Sequence, residues 1–127
     1  MFTHLTLGTN DVPASKKFYD ATFTALGAEP GMLVPEGNRV IYFHKGKALI
    51  VLNPINGEPA TFANGFTVGI ECDNPEQIQA WHDAGVANGG TTAEDPPGLR
   101  EGPMGKMYLA YLRDPSGNKL CAIHRPA

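Results

Sequence analysis

The sequence predicts an α+β chain built from two βαβββ modules, and three observations carry that prediction. Short segments of alternating apolar and polar residues are interleaved with two longer stretches whose apolar residues recur at helical spacing. Clusters of Gly, Pro, Asn and Asp separate these segments and supply the turns between them. The order of features then repeats: adding 63 carries Asp11 to Asn74, Phe18-Tyr19-Asp20-Ala21 to Trp81-His82-Asp83-Ala84, and Gly27 to Gly90. Gly46 matches Gly117 only at a shift of 71, so the second half holds about eight extra residues. The Pro/Gly-rich stretch Glu94–Lys106 accommodates them as a loop. Module 1 is expected over about residues 1–58 and module 2 over about 64–127, within a single domain spanning 1–127. One module alone would leave a sheet face uncovered, so the two are expected to pack or pair.

The elements follow in order. Phe2 to Gly8 alternates as a half-buried strand, with Leu5 and Leu7 on one face and His4, Thr6 and Gly8 on the other. Asp11 is an N-cap, Pro13 fits a first helical turn, and Val12, Tyr19, Phe23 and Leu26 form an apolar stripe that Gly27 ends. A short strand is expected around Met32–Val34. Arg39–Phe43 and Lys47–Asn53 read as strands joined by a tight turn at Lys45-Gly46, and a polar stretch from Asn56 to Asn64 follows. Phe66–Cys72 is the next strand. Asp73-Asn74-Pro75 then opens a helix carrying Ile78, Trp81 and Val86, which Gly89-Gly90 ends. Met107–Arg113 and Lys119–His124 close the chain as strands around Asp114-Pro115-Ser116-Gly117-Asn118, a segment whose Pro and Gly serve turn geometry first.

Composition narrows the functions. The chain has 127 residues with 42% hydrophobic and 18% charged content, which argues for a folded domain rather than disorder. Ten Lys and Arg against thirteen Asp and Glu give a net charge of −3, with a pI near 5.7. With no basic cluster, neither nucleic acid nor an anionic membrane is an expected partner. No apolar run reaches the roughly 18–20 residues that span a bilayer, and no signal peptide is read at the N-terminus. Cys72 and Cys121 form no disulfide framework, so a reducing cytoplasm is the expected location.

Two stretches carry a family likeness. His4-x-x-Leu7-Gly8, Asn10-Asp11 and Ser15-x-x-Phe18-Tyr19 resemble the opening of the vicinal-oxygen-chelate superfamily, which includes glyoxalase I, bleomycin-resistance proteins and extradiol dioxygenases. The ending Tyr108-Leu109-Ala110-Tyr111-Leu112-Arg113-Asp114-Pro115-Ser116-Gly117-Asn118-Lys119-Leu120 is similar to its closing hairpin. The resemblance covers essentially the whole chain. It implies two βαβββ modules forming a curved mixed sheet around a cleft, the glyoxalase/bleomycin-resistance fold, and a homodimer. It also implies metal-ligand positions on the first and last strand of each module, which fall on His4, Ile50, Thr67 and Cys121. Family members that use a divalent metal place His, Gln or Glu there. Of these four, only His4 is a usual ligand, so three of the four positions are unmatched.

The candidates for chemistry are few. His4 shares the presumed cleft face with Thr6 and is read as a base, a substrate partner or a lone metal ligand. The plain alternative is a hydrogen-bonded histidine in a semi-polar cavity. Glu71 shares the alternation of Thr67 and Gly69 and is either a rim carboxylate able to take a proton next to a carbonyl, or a solvated strand end. Cys121, placed with the substrate-binding residues, is either a thiolate able to attack an electrophile or bind a soft metal, given a neighbour that lowers its pKa, or a small buried apolar group. Leu109 and Tyr111 share one strand face, a pattern suited to a pocket wall with a phenol for orientation. Arg100, in the Glu94–Lys106 stretch, would hold an anionic substrate if that stretch closed as a lid. Cys72 reads as packing, and His44, His82 and His124 as surface or edge residues. The leading function is binding of a small organic molecule in the cleft, with a degenerate or absent metal site. The alternatives are a metal-dependent lyase, isomerase or dioxygenase using His4 with a non-standard ligand set, and a metal-free enzyme with His4 or Glu71 as base.

Overall fold

Each module of the computed structural model, which describes residues 1–126, folds as a strand, a helix and three further strands. In chain order these are β1 (His4–Gly8), α1 (Val12–Ala25), β2 (Met32–Leu33), β3 (Arg39–His44) and β4 (Lys47–Leu52). The second set is β5 (Val68–Glu71), α2 (Pro75–Ala87), β6 (Thr91–Gly102), β7 (Gly105–Arg113) and β8 (Lys119–His124). The strands form two four-stranded mixed sheets, ordered β1-β4-β3-β2 and β5-β8-β7-β6, with a parallel pair at β1–β4 and at β5–β8. Among the described residues no helix is long and apolar enough to cross a membrane.

The repeat read from the sequence holds in the strand register. Thr6 lies opposite Ile50 in one sheet and Gly69 opposite Cys121 in the other, positions related by the shifts of 63 and 71. Glu94–Lys106 is not a loop, however. It lies within β6 and β7, which pair as a long arm with a register break between Ala93 and Gly98. The break contains Pro96 and Pro97, which cannot donate to a ladder, and Glu94 takes a left-handed φ of 54° to begin it. One of the extra residues sits elsewhere: Phe43 faces Ala48, five positions on, whereas Arg113 faces Lys119, six positions on.

Asp11 caps α1 by accepting from Ala14 N–H at 3.0 Å, and Asn74 caps α2 by accepting from Gln77 N–H at 2.8 Å. Each satisfies one of the donors that a helix start leaves without a partner. Both helices cover one face of the sheets. Phe18, Tyr19 and Phe23 of α1 are buried with Tyr42, the Phe23 and Tyr42 rings stacked at 4.9 Å, a pairing worth about 0.5–1.5 kcal/mol beyond area burial. From α2, Ile78 and Trp81 are fully buried against Leu112 and Leu120. Val86, expected in that stripe, is instead 50% exposed. Gly85 takes the inner position, where any Cβ would overlap Leu112 and Phe18.

The modules grip each other at two equivalent places. The turn before β8 reaches the end of β1: Asn118 Nδ2 donates to Gly8 O at 3.0 Å, and Ser116 Oγ lies 3.0 Å from Thr9 Oγ1. Behind it, Tyr19 donates to Asp114 Oδ2 at 2.6 Å, and Asp114 also accepts from the Ser116 and Asn118 amides. The turn before β4 reaches the end of β5. His44 Nε2 hydrogen-bonds Glu71 O at 3.0 Å, and Lys45 pairs with Asp73 at 2.6 Å and Glu71 at 3.7 Å.

Candidate functional site

The face away from the helices is left open, and the strand alternation decides what it carries. On β1, Leu7 points into the core while His4 and Thr6 are exposed on the other side. Ile50 stands opposite Thr6, so it shares that face. On β5, Val68 and Ile70 point inward, and Gly69 and Glu71 point outward. Cys121 lies opposite Gly69, Tyr111 opposite Cys121, Leu109 opposite Ile123, and Arg100 opposite Met107. Thr67 lies immediately before β5 rather than within it, and is exposed.

The second sheet holds the denser group. Cys121 is 8% exposed, and burial first of all pushes its thiol up from the usual range, so it is a thiol rather than a thiolate. The Tyr111 phenol is also raised, by burial and then by Cys121 beside it. Lys119 Nζ sits 5.0 Å above the Tyr111 ring and pairs with Glu94, which neutralises that ammonium. Arg100 does not reach outward for an anion. Its Nη1 donates to Gly98 O at 3.0 Å and to Leu109 O at 3.4 Å, and its Nη2 donates to Asp95 O at 3.0 Å, so the guanidinium is taken up by carbonyls beside the register break. Across the molecule His4 shares a 2.9 Å hydrogen bond with Thr3 through Nδ1, leaving Nε2 for another partner.

The eight side chains singled out in the sequence (His4, Thr6, Thr67, Glu71, Arg100, Leu109, Tyr111 and Cys121) do not converge on one cavity. A hollow of about 680 Å³ opens where β5 and β8 end; Gly69, Glu71, Ile123, His124 and Arg125 line it, and of the eight only Glu71 takes part. The Glu71 side chain is 75% exposed with Lys45 3.7 Å away, which places it at the rim. Gly69, Ile123, His124 and Arg125 were not anticipated. The repeat contained one signal for them: the shift of 63 moves Thr6 onto Gly69, a position with no side chain, and open space lies where its Cβ would be.

Residues 1–122 match the Glyoxalase/Bleomycin resistance protein/Dioxygenase superfamily. The chain belongs to that superfamily. Among solved structures, a glyoxalase/bleomycin resistance protein from Albidiferax ferrireducens is 53% identical at a TM-score of 0.94, the match covering 98% of this chain and 99% of that one. A glyoxalase-related enzyme from Fulvimarina pelagi is 21% identical at a TM-score of 0.74, covering 99% and 88%. A lactoylglutathione lyase from Agrobacterium tumefaciens is 20% identical at 0.67, covering 97% and 93%; these last two likenesses speak for the fold alone. No curated protein matches the chain.

The superfamily's metal positions can be tested against the side chains present. A divalent ion takes about three protein ligands of imidazole, carboxylate or thiolate type. Ile50 offers no donor, Thr67 offers a weak hydroxyl outside its strand, and burial keeps Cys121 protonated. Among the described residues no three His, Cys, Asp or Glu side chains stand close enough to share an ion. The residues do not fit a divalent metal. What the open face offers instead is apolar floor from Ile50, Leu109 and Ile123, with isolated polar contacts at His4, Tyr111 and Glu71. That is the chemistry of a pocket that holds an apolar or aromatic body and orients it by a few hydrogen bonds.

Proposed function

We propose that this protein binds a small organic molecule on its open sheet face without a resident metal, in the cytoplasm, as a homodimer. The reading rests on one observation: the four positions where the superfamily places metal ligands offer one strong donor, His4, on a face otherwise apolar and hydrogen-bonding. The dimer reading follows from shape. Phe43 is 59% and Met32 is 58% exposed on the open face of the first sheet, and a second copy laid over it would turn two open faces into an enclosed cleft. His4, Thr6 and Thr67 would contact the ligand from one side, and Leu109, Tyr111, Cys121 and Glu71 from the other. Arg100 contributes by holding the β6–β7 arm in shape.

The test is to saturate the purified protein with Zn²⁺, Ni²⁺, Mn²⁺ or Fe²⁺, remove free ion, and measure metal per chain. A thermal-shift screen of small organic molecules follows on wild type and His4→Ala. The expected result is far less than one ion per chain, and a set of stabilising compounds whose affinity falls in His4→Ala. A stoichiometric ion would overturn the reading and restore a metal-dependent lyase, isomerase or dioxygenase built on His4.

A further inference from the structure

A second cavity lies at the seam where the two modules meet. It measures about 310 Å³, and Leu5, Phe23, Leu49, Val68 and Ile70 form its walls. Leu5, Leu49, Val68 and Ile70 point toward the helices and Phe23 reaches down from α1, whereas His4, Thr6 and Cys121 point away and take no part; Gly69 and Glu71 also line the hollow at the ends of β5 and β8, so the two cavities adjoin at that rim. β1 and β5, each an end strand of its own sheet, share no ladder, which leaves room for the cavity at the seam. Leu5 shows the result: its neighbour Leu7 is 4% exposed, while Leu5 keeps surface free to face the opening.

The rim is polar and of one dominant sign. His44, Lys45, Lys47 and Glu71 surround the mouth. Lys45 is already held by Asp73 and Glu71, and His44 by Glu71 O through Nε2, its ring edge-on to Phe23 at 6.0 Å. Lys47 makes no ion pair among the described residues, which leaves its ammonium as the available charge at an apolar mouth. The volume sits at the small end of ligand pockets, which run from roughly 300 Å³ upward.

We propose that this seam is a second binding site, taking a compound with a short apolar body and an anionic head, the body among Leu5, Phe23, Leu49, Val68 and Ile70 and the head on Lys47. A carboxylate on an alkyl chain or single ring has that shape and charge. The equivalent place in the other module is built differently. There Asp114 and Asn118 occupy the position of the His44–Lys47 rim, and Val86, the counterpart of Phe23, faces solvent.

The probe is octanoate, with octanamide as its uncharged counterpart, titrated into isotope-labelled full-length protein and followed by amide NMR shifts. Shifts are expected at Leu5, Leu49, Val68 and Ile70, with octanoate bound about tenfold tighter than octanamide. Lys47→Glu, an exposed substitution that leaves the core untouched, should remove that preference. Equal binding of acid and amide, an unchanged preference in Lys47→Glu, shifts centred on Thr6 and Cys121, or no shifts at millimolar octanoate would each overturn the proposal. The metal and screening results bear on the open face and this titration on the seam, so either reading can fail while the other stands.

Discussion

The two grips between the modules do the same job with opposite chemistry. Each lets the last hairpin of one module take hold of the carbonyl that ends the first strand of the other: Asn118 on Gly8 O, His44 on Glu71 O. Around the first, Asp114 is 4% exposed and four hydrogen bonds converge on it, from Tyr19, the Ser116 and Asn118 amides and the Asn118 side chain. Around the second, Lys45 meets two largely solvated carboxylates. Buried networks are stiff and costly to break, while exposed ion pairs are weak and screened by salt. The difference teaches where the seam can open: the buried grip seals its end, and the solvated grip leaves a cavity beside it.

The comparison breaks most visibly at Asp114. Asp114→Ala would leave the Tyr19 hydroxyl and several turn donors buried without a partner, at an expected cost of about 3–5 kcal/mol, read by urea unfolding. Next come the turn glycines. Gly117 has a φ of 92°, and a Cβ there would lie 2.6 Å from the Phe62 ring, whereas Gly46 has a φ of 79° with open space around it. Gly46→Ala is expected to cost about 1 kcal/mol from the left-handed backbone alone, and Gly117→Ala about 2–3 kcal/mol because Phe62 must also move. Equal costs would mean the two turns are equally free.

The smallest effect belongs to Lys45→Met, expected to leave the unfolding midpoint nearly unchanged and to change it less still in high salt. Its sign has a pH signature. The hydrogen bond from Lys45 holds the Asp73 carboxyl below its usual range, so the pair stabilises at neutral pH and that contribution is lost as the pH falls through the lowered value. Asp73 likewise raises Lys45 above 10.5, so the contribution is also lost in strong alkali. Any gap between wild type and Lys45→Met at pH 7 should therefore close in acid. A gap that grows on acidification would place the Lys45 effect outside this pair.

Local pattern and repeat made much of this readable. Alternation alone put His4 and Thr6 opposite Leu5 and Leu7, and two shifts along the chain brought the two modules into correspondence, with Ile50 matched to Cys121. The unread parts have both local and distant causes. Pro96, Pro97 and Gly98 interrupt the alternation of β6, so an arm that bends reads as a loop. Arg100 reads as available because the alternation does not show that the bend turns the carbonyls of Asp95 and Gly98, five and two residues back, onto its guanidinium. Val86 looked buried by spacing, but Gly85 lets α2 approach Leu112 and Phe18 and turns Val86 outward. The cavity at the ends of β5 and β8 joins residues more than fifty positions apart, which no local period encodes.

The strands at the β2 and β6 ends of the sheets carry one more consequence, for growth of one sheet onto another. An open sheet edge offers unpaired amides and carbonyls to any passing extended chain. The first sheet ends at β2, two residues long, too short to seed a growing ribbon. The second ends at β6, twelve residues long, but its two prolines and register break kink the line of donors. Two unlike devices thus make the β2 edge of one sheet and the β6 edge of the other poor templates for fibril growth.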